Sequence, residues 1–268
     1  MQKAILITGS TDGIGKLTAL QLAKKGHIIY IHGRSEAKVK SCIAEIKDAS
    51  QNKNIHGFVA DFSELNAVKH LSEQIKNKVP KLDILINNAG IFKSPNSKTI
   101  SGLDVRMAVN YFSSYILTES IVSVLEKGFN PRIINLSSAA QSTVQKEVLK
   151  GKVTVSESES YAQSKLALTM WSFNFAKQHP NITTIAVNPG SLLNTKMAKE
   201  AYGQHWSPAE KGVDILYSLA LDTAHDNESG SYFDNDKGGY TNAHPDAYNT
   251  SKIDFLASIT KEICLTIQ

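Results

Sequence analysis

Cysteine is scarce: the chain has two in 268 residues, Cys42 and Cys264, in segments that read as a first-half helix and the last helix. Their spacing implies neither a disulfide nor a metal site, which fits a reducing compartment rather than a disulfide-stapled secreted module. No uninterrupted apolar stretch approaches the ~18 residues of a membrane span. Met1 leads straight into an apolar strand without the h-region of a signal peptide, so a free cytoplasmic protein is expected. There is no His-Glu-x-x-His, no Cys-x-x-Cys and no Gly-x-Ser-x-Gly, and the eight histidines are dispersed. Metalloenzyme and nucleophile-elbow hydrolase readings therefore drop out, and no metal is expected. Neither sign of charge dominates: 29 basic against 25 acidic residues leave a scattered +4, which gives no reason to expect a nucleic-acid partner.

Repeats, low-complexity tracts and interdomain linkers are missing too, so residues 1–268 are expected to form a single domain. What is present is a rhythm. Apolar runs of strand length at 4–7, 28–31, 56–59, 84–86, 133–136 and 182–187 alternate with stretches of helical periodicity at 36–46, 65–78, 102–126 and 161–177. Alternation of this kind predicts an α/β, doubly wound parallel sheet with helices on both faces and a ligand crevice at the strands' carboxyl ends. A short strand is expected at 231–233 and a C-terminal helix at 252–263. Two segments break the rhythm: 139–160, expected as a long loop, and 191–206, where Leu192, Leu193, Met197, Tyr202 and Trp206 are mixed with polar residues.

Chemistry concentrates in two places. Thr8-Gly9-Ser10-Thr11-Asp12-Gly13-Ile14-Gly15 follows the first strand and opens a helix, where glycines let the backbone approach a diphosphate and the helix dipole favours its charge. Tyr161 and Lys165 stand four apart, on one face of a helix, where an ammonium lowers the proton affinity of a phenol. Together they point to a nucleotide-dependent redox enzyme with an acid–base tyrosine.

On these residues, with Asp61, Asn87-Asn88-Ala89-Gly90, Asn110, Ser137-Ser138 and Pro189-Gly190 in the expected order, the chain resembles the short-chain dehydrogenase/reductase family over nearly its whole length. The resemblance implies the Rossmann fold, with Tyr161 as general acid or base and Lys165 tuning it and holding the nicotinamide ribose. It implies that Ser138 fixes the substrate oxygen, with Ser137 as the alternative should the loop register differ, and that Asn110 holds a relay water. Gly9, Ser10, Thr11, Gly13, Ile14 and Gly15 would cradle the cofactor. Asp61 would meet the adenine; Asn87, Ala89, Gly90, Pro189 and Gly190 would line its path.

Cofactor preference turns on the end of the second strand, His32-Gly33-Arg34-Ser35, where a carboxylate would select NAD. Arg34 there favours NADP, worth about 10- to 100-fold. Asp12 works against that preference, and the direction of Lys16 is left open. The interval from Ser138 to Tyr161 resembles that of retinol-dehydrogenase and protochlorophyllide-reductase members, and Thr195 comes one position late after Pro189-Gly190. The expected substrate is a small carbonyl or alcohol compound, lipophilic if 191–206 is a lid rather than packing on the sheet. A non-catalytic NADP-binding regulator and a sugar-nucleotide epimerase are the competing readings. The resemblance also suggests a homo-oligomer formed through the helices at 102–126 and 161–177, although no residue demands it.

Overall fold

The first strand, β1 (Ala4–Ile7), is buried along its whole length, as a strand flanked by two others and covered on both faces must be. The computed structural model describes residues 1–266, apart from the Tyr202 side chain. After β1 come α1 (Gly13–Lys24), β2 (Ile28–Gly33), α2 (Glu36–Ser50), β3 (Ile55–Val59), α3 (Leu65–Lys78) and β4 (Ile84–Asn87). A continuous helical run follows, made of α4 (Val105–Met107), a π-helical segment (Ala108–Phe112) and α5 (Ser113–Leu125). Then come β5 (Arg132–Leu136), α6 (Lys146–Leu149), α7 (Glu157–Gln178), β6 (Thr183–Asn188), α8 (Lys196–Tyr202), α9 (Ala209–Leu221), β7 (Ser231–Asp234), β8 (Gly239–Tyr240) and α10 (Thr250–Thr266).

The sheet order is β3-β2-β1-β4-β5-β6-β7-β8, parallel except for the β7/β8 edge pair. From β1 the chain winds outward to β3 and then crosses back to β4. The order reverses between β1 and β4, which opens a crevice at their carboxyl ends. Side-chain alternation splits the core. Leu6, Leu85 and Ile133 face one layer with residues of α3, α5, α7 and α10, while Ile5, Ile7, Ile86 and Ile134 face the other with α1, α2 and α9.

Several boundaries differ from the sequence expectation. The helix carrying Tyr161 begins at Glu157, capped by Ser156, whose hydroxyl accepts from Glu159 N at 3.2 Å. Its first turn is polar, so periodicity did not reveal it. The segment 139–160 is not all loop, since it contains α6 with Val148 and Leu149 fully buried. The expected helix at 102–126 starts at Val105, capped by Asp104. The two-residue β8 was too short to register as a pattern, and 191–206 contains α8, capped by Thr195. Every residue of α7 from Gln163 to Phe173 is buried within the single chain. Part of that cover is α10, whose buried Ile253, Leu256, Ile259 and Ile263 recur at helical spacing.

Candidate active site

At the crevice, the turn after β1 is shaped by contacts that only glycine permits. Gly9 has φ +61°, and a Cβ there would stand 2.8 Å from Ala89 Cα. A Cβ on Gly15 would lie 2.4 Å from Asn88 Nδ2, which donates to Thr8 O at 2.7 Å and Gly9 O at 3.0 Å. Ala89 N donates to Thr8 Oγ1 at 3.0 Å, so β4's end and the glycine turn form one unit. His32 closes it from the other side: Gly9 N donates to Nδ1 at 3.1 Å, and Nε2 bonds Ala60 O at 3.0 Å. An accepting Nδ1 and a donating Nε2 describe a neutral ring. Burial pushes its pKa down to about 4, in keeping with that.

A cleft of about 1080 Å³ runs from this turn across the sheet's carboxyl edge. Gly9, Thr11, Gly13, Ile14 and Gly15 line it, as do Ala89, Gly90, Pro189 and Gly190. Arg34 and Asp61 stand at the β2 and β3 ends, and Ser138, Tyr161 and Lys165 lie on the opposite wall. Three expected site residues have their side chains elsewhere. Ser10 is buried, its hydroxyl donating to Ile7 O and accepting from His32 N. Asn87 is buried too, its amide donating to Thr118 Oγ1 at 3.0 Å and Asn135 Oδ1 at 2.8 Å. Both pin the strands rather than line the cleft. Asn110, in the π-helical segment, brackets Ile91: its oxygen accepts from Ile91 N at 2.8 Å, and its amide donates to Ile91 O and Ser164 Oγ. It does not line the cleft, but its Oδ1 and Lys165 Nζ each come within 3.4 Å of where a Gly90 Cβ would stand.

The Tyr161 wall is held by α7 and the end of β5. Lys165 Nζ donates to Leu136 O at 2.7 Å and lies 5.5 Å from the centre of the Tyr161 ring. Burial lowers the Lys165 pKa to about 8. The Phe92 ring packs against that of Tyr161, with ring centres 5.0 Å apart and planes tilted by 50°. Both serines border the cleft, but they differ. Ser137 is 3% exposed with its hydroxyl 2.6 Å from Thr169 Oγ1, while Ser138 is half-buried at the cleft wall and accepts from Ala140 N.

At the far end Arg34 is exposed, with Lys38 one turn later on the same cleft wall, and among the described residues neither side chain has an ion-pair partner. Ser35 caps α2, so a helix N-terminus adds its partial charge there. Lys16 turns away to Glu45, and Asp12 caps α1 by accepting from Gly13 N. Thr195 spends its hydroxyl on capping α8, with its methyl 3.9 Å from a Cβ position on Gly13.

Lys38 and Phe92 were not singled out from sequence, and His32 and Asn88 stood there only inside quoted motifs, with no role of their own. Only Lys38, four residues after Arg34, carried a signal that helical spacing could have exposed. The cradle fits a dinucleotide, because Cβ atoms at Gly9 and Gly15 would collide with backbone or Asn88, and the α1 N-terminus at Gly13, Ile14 and Gly15 borders the cleft, where its partial positive charge favours a diphosphate.

The sequence profile described as short chain dehydrogenase matches residues 3–206. The chain belongs to the short-chain dehydrogenase/reductase family. It is accordingly an NAD(P)-dependent oxidoreductase, of the retinol dehydrogenase type. It is 30% identical to bovine retinol dehydrogenase 12 over 97% of this chain and 86% of that one. It is 29% identical to human polyprenol dehydrogenase over 75% of this chain and 63% of that protein. Solved structures share the dehydrogenase/reductase fold. A Mycobacterium paratuberculosis protein superposes with TM-score 0.77 at 20% identity, covering 98% of this chain and 93% of that one. A Shigella flexneri short chain dehydrogenase complexed with NADP gives 0.69 at 24% identity, covering 87% and 97%. Among the described residues no helix is long and apolar enough to cross a membrane, and no cluster of His, Cys, Asp and Glu could hold a metal.

Proposed function

We propose that this protein is an NADP-dependent reductase or dehydrogenase of a lipophilic carbonyl or alcohol, with Tyr161 as its general acid or base. The observation that carries the reading is the Lys165 ammonium held 5.5 Å from the Tyr161 ring centre on the cleft wall. The ammonium favours the phenolate, so Tyr161 gives its proton to a carbonyl oxygen, or takes one from an alcohol, near neutral pH. Ser138, with its hydroxyl on the cleft wall, donates a hydrogen bond to the same oxygen. Asn110 fixes Ile91 and, beside Gly90, opens toward Lys165, where a water would link the lysine to solvent. Proton transfer of this kind contributes about 10²–10⁴-fold. Bound in the glycine cradle, the nicotinamide cofactor supplies or accepts the hydride.

Arg34, Lys38 and the α2 N-terminus support a preference for NADP, since they present positive charge where an extra phosphate would lie. Support for a lipophilic substrate comes from the apolar cleft lining of Phe92, Val105, Val109, Leu193 and Met197, together with the exposed Trp206. Names of the relatives point the same way, retinol and polyprenols being extended apolar alcohols. The test is NADPH and NADH oxidation against aldehydes and ketones of rising size, with Tyr161→Phe alongside. Turnover that rises with apolar length and falls at least about 100-fold in Tyr161→Phe at unchanged NADPH affinity is expected. Full activity in that variant would sink the assignment, and NADPH binding without consumption would point to the regulatory reading instead.

A further inference from the structure

Ser191 opens the segment that carries α8 over the glycine turn, between Gly190, whose φ of +124° suits glycine, and Leu192, which is held in a costly conformation at φ +48°. Backbone of this kind persists only where something outside it fixes it. The fixing groups come from the turn after β7. The Asp236 carboxylate accepts from Ser191 N at 3.0 and 3.1 Å, Ser191 Oγ at 2.5 Å, Asn188 Nδ2 at 3.0 Å and Lys211 Nζ at 3.1 Å. Next to it Asn235 donates to Pro189 O at 2.8 Å and to Lys211 O at 3.0 Å. Asn188, Pro189, Gly190 and Ser191 line the cleft; Asp236 does not.

We infer that Asp236 is a positioning residue, a latch that holds the 189–191 wall against the dinucleotide and so sets its affinity. The inference rests on the reading of the cleft as a nicotinamide-dinucleotide site. Asp236 lies beyond residue 206, where the family match ends. Its ion pair with Lys211 is about one-third exposed on each side and adds little, so the anchoring falls to the Ser191 amide and hydroxyl donating to a charged acceptor. Burial opposes ionisation of Asp236, but the hydrogen bonds from Ser191, Lys211 and Asn188 outweigh it and hold the pKa at about 2. The latch is charged at any working pH.

The test is a fluorescence titration of the full chain with NADPH, without substrate, together with the rate of tryptic cleavage at Lys196 and Lys199. Asp236→Ala is expected to weaken NADPH binding about tenfold and to speed cleavage, with Asp236→Asn between it and the wild type because the amide keeps an acceptor for Ser191. Affinity within about twofold of wild type and unchanged cleavage in a folded Asp236→Ala protein would overturn the latch. Should that variant fail to fold, Asp236→Asn decides, since Asp236 does not line the cleft: weaker NADPH binding or faster cleavage supports the latch, and both at wild-type values refute it. A wild type that binds neither NADPH nor NADH refutes the cleft reading and the latch with it, whereas failure of the latch alone leaves wild-type binding intact.

Discussion

Lys165 points its ammonium at Leu136 O, 2.7 Å away, and stands 5.5 Å from the ring centre of Tyr161, one helical turn earlier on α7. The same burial that brings the charge to the phenol makes it costly to keep. With a folded pKa near 8 against an ordinary 10.5, the unfolded chain holds a proton the folded lysine has lost between those values, so stability rises with pH across that window. Below about 8 both states are protonated and the full cost, about 3 kcal/mol, is present. In Lys165→Met the stability rise between pH 8 and 10.5 should vanish in urea titrations, because the titrating group is gone. Orphaning Leu136 O costs about 1–3 kcal/mol, which offsets the relief, so midpoints at pH 7 should stay near wild type. Alcohol oxidation at that pH should drop at least about 100-fold as Tyr161 returns toward an ordinary tyrosine pKa. Retained oxidation would show that the ammonium does not tune the phenol.

His32 gives the glycine turn a sensitivity to acid. Its neutral ring accepts from Gly9 N, and its folded pKa of about 4 lies below the ordinary 6.5. The stability it contributes is full above 6.5 and is lost as pH falls from 6.5 toward 4, where the unfolded chain takes the proton first. The loss amounts to about 3 kcal/mol. Chemical denaturation at pH 7 and 5 should show a smaller pH dependence in His32→Gln than in wild type. Equal dependence would assign the effect to the other histidines whose pKa burial lowers, His27, His56 and His225.

Arg34 and Lys38 should decide between the two coenzymes. Replacing Arg34 with Asp puts a carboxylate where a phosphate would sit, and the ratio of kcat/KM for NADPH over NADH should fall about 10- to 100-fold. Lys38→Ala should move it in the same direction by less, since a lysine is a point charge without the guanidinium fork. An unchanged ratio in both would leave NADP preference without a structural basis in this loop.

Helix α7, which the family resemblance suggested as a surface joining copies of the chain, is enclosed by its own chain from Gln163 to Phe173. Tyr111 OH lies 2.7 Å from Thr260 Oγ1, tying α10 to the helix that begins at Val105. Association through α7 would require α10 to leave. Light scattering on the eluted full chain should show a monomer, or an oligomer that persists when α10 surface residues such as Lys261 are changed. Dissociation by such changes would place the interface on α10.

The sequence by itself determined what depends on local period and spacing. Strand–helix alternation dictated the doubly wound sheet, because apolar runs and three-and-four spacing are properties of each segment alone. The glycines after β1 and the Tyr161/Lys165 pair were legible for the same reason: one needs a tight turn, the other a single turn of helix. Tertiary structure decided which way side chains face where two segments meet. Ser10 and Asn87, legible as part of motifs, turn into the sheet, while Asn88 and His32 knit the cradle across 80 and 23 positions of chain. Nothing in their neighbours marked these partners. The Asp236–Ser191 contact joins residues 45 apart, and the cover of α7 comes from the far C-terminal helix. Such pairings are set by where β4, β6 and β7 lie in the sheet and not by any pattern along the chain, so they became visible only once the strands were laid side by side.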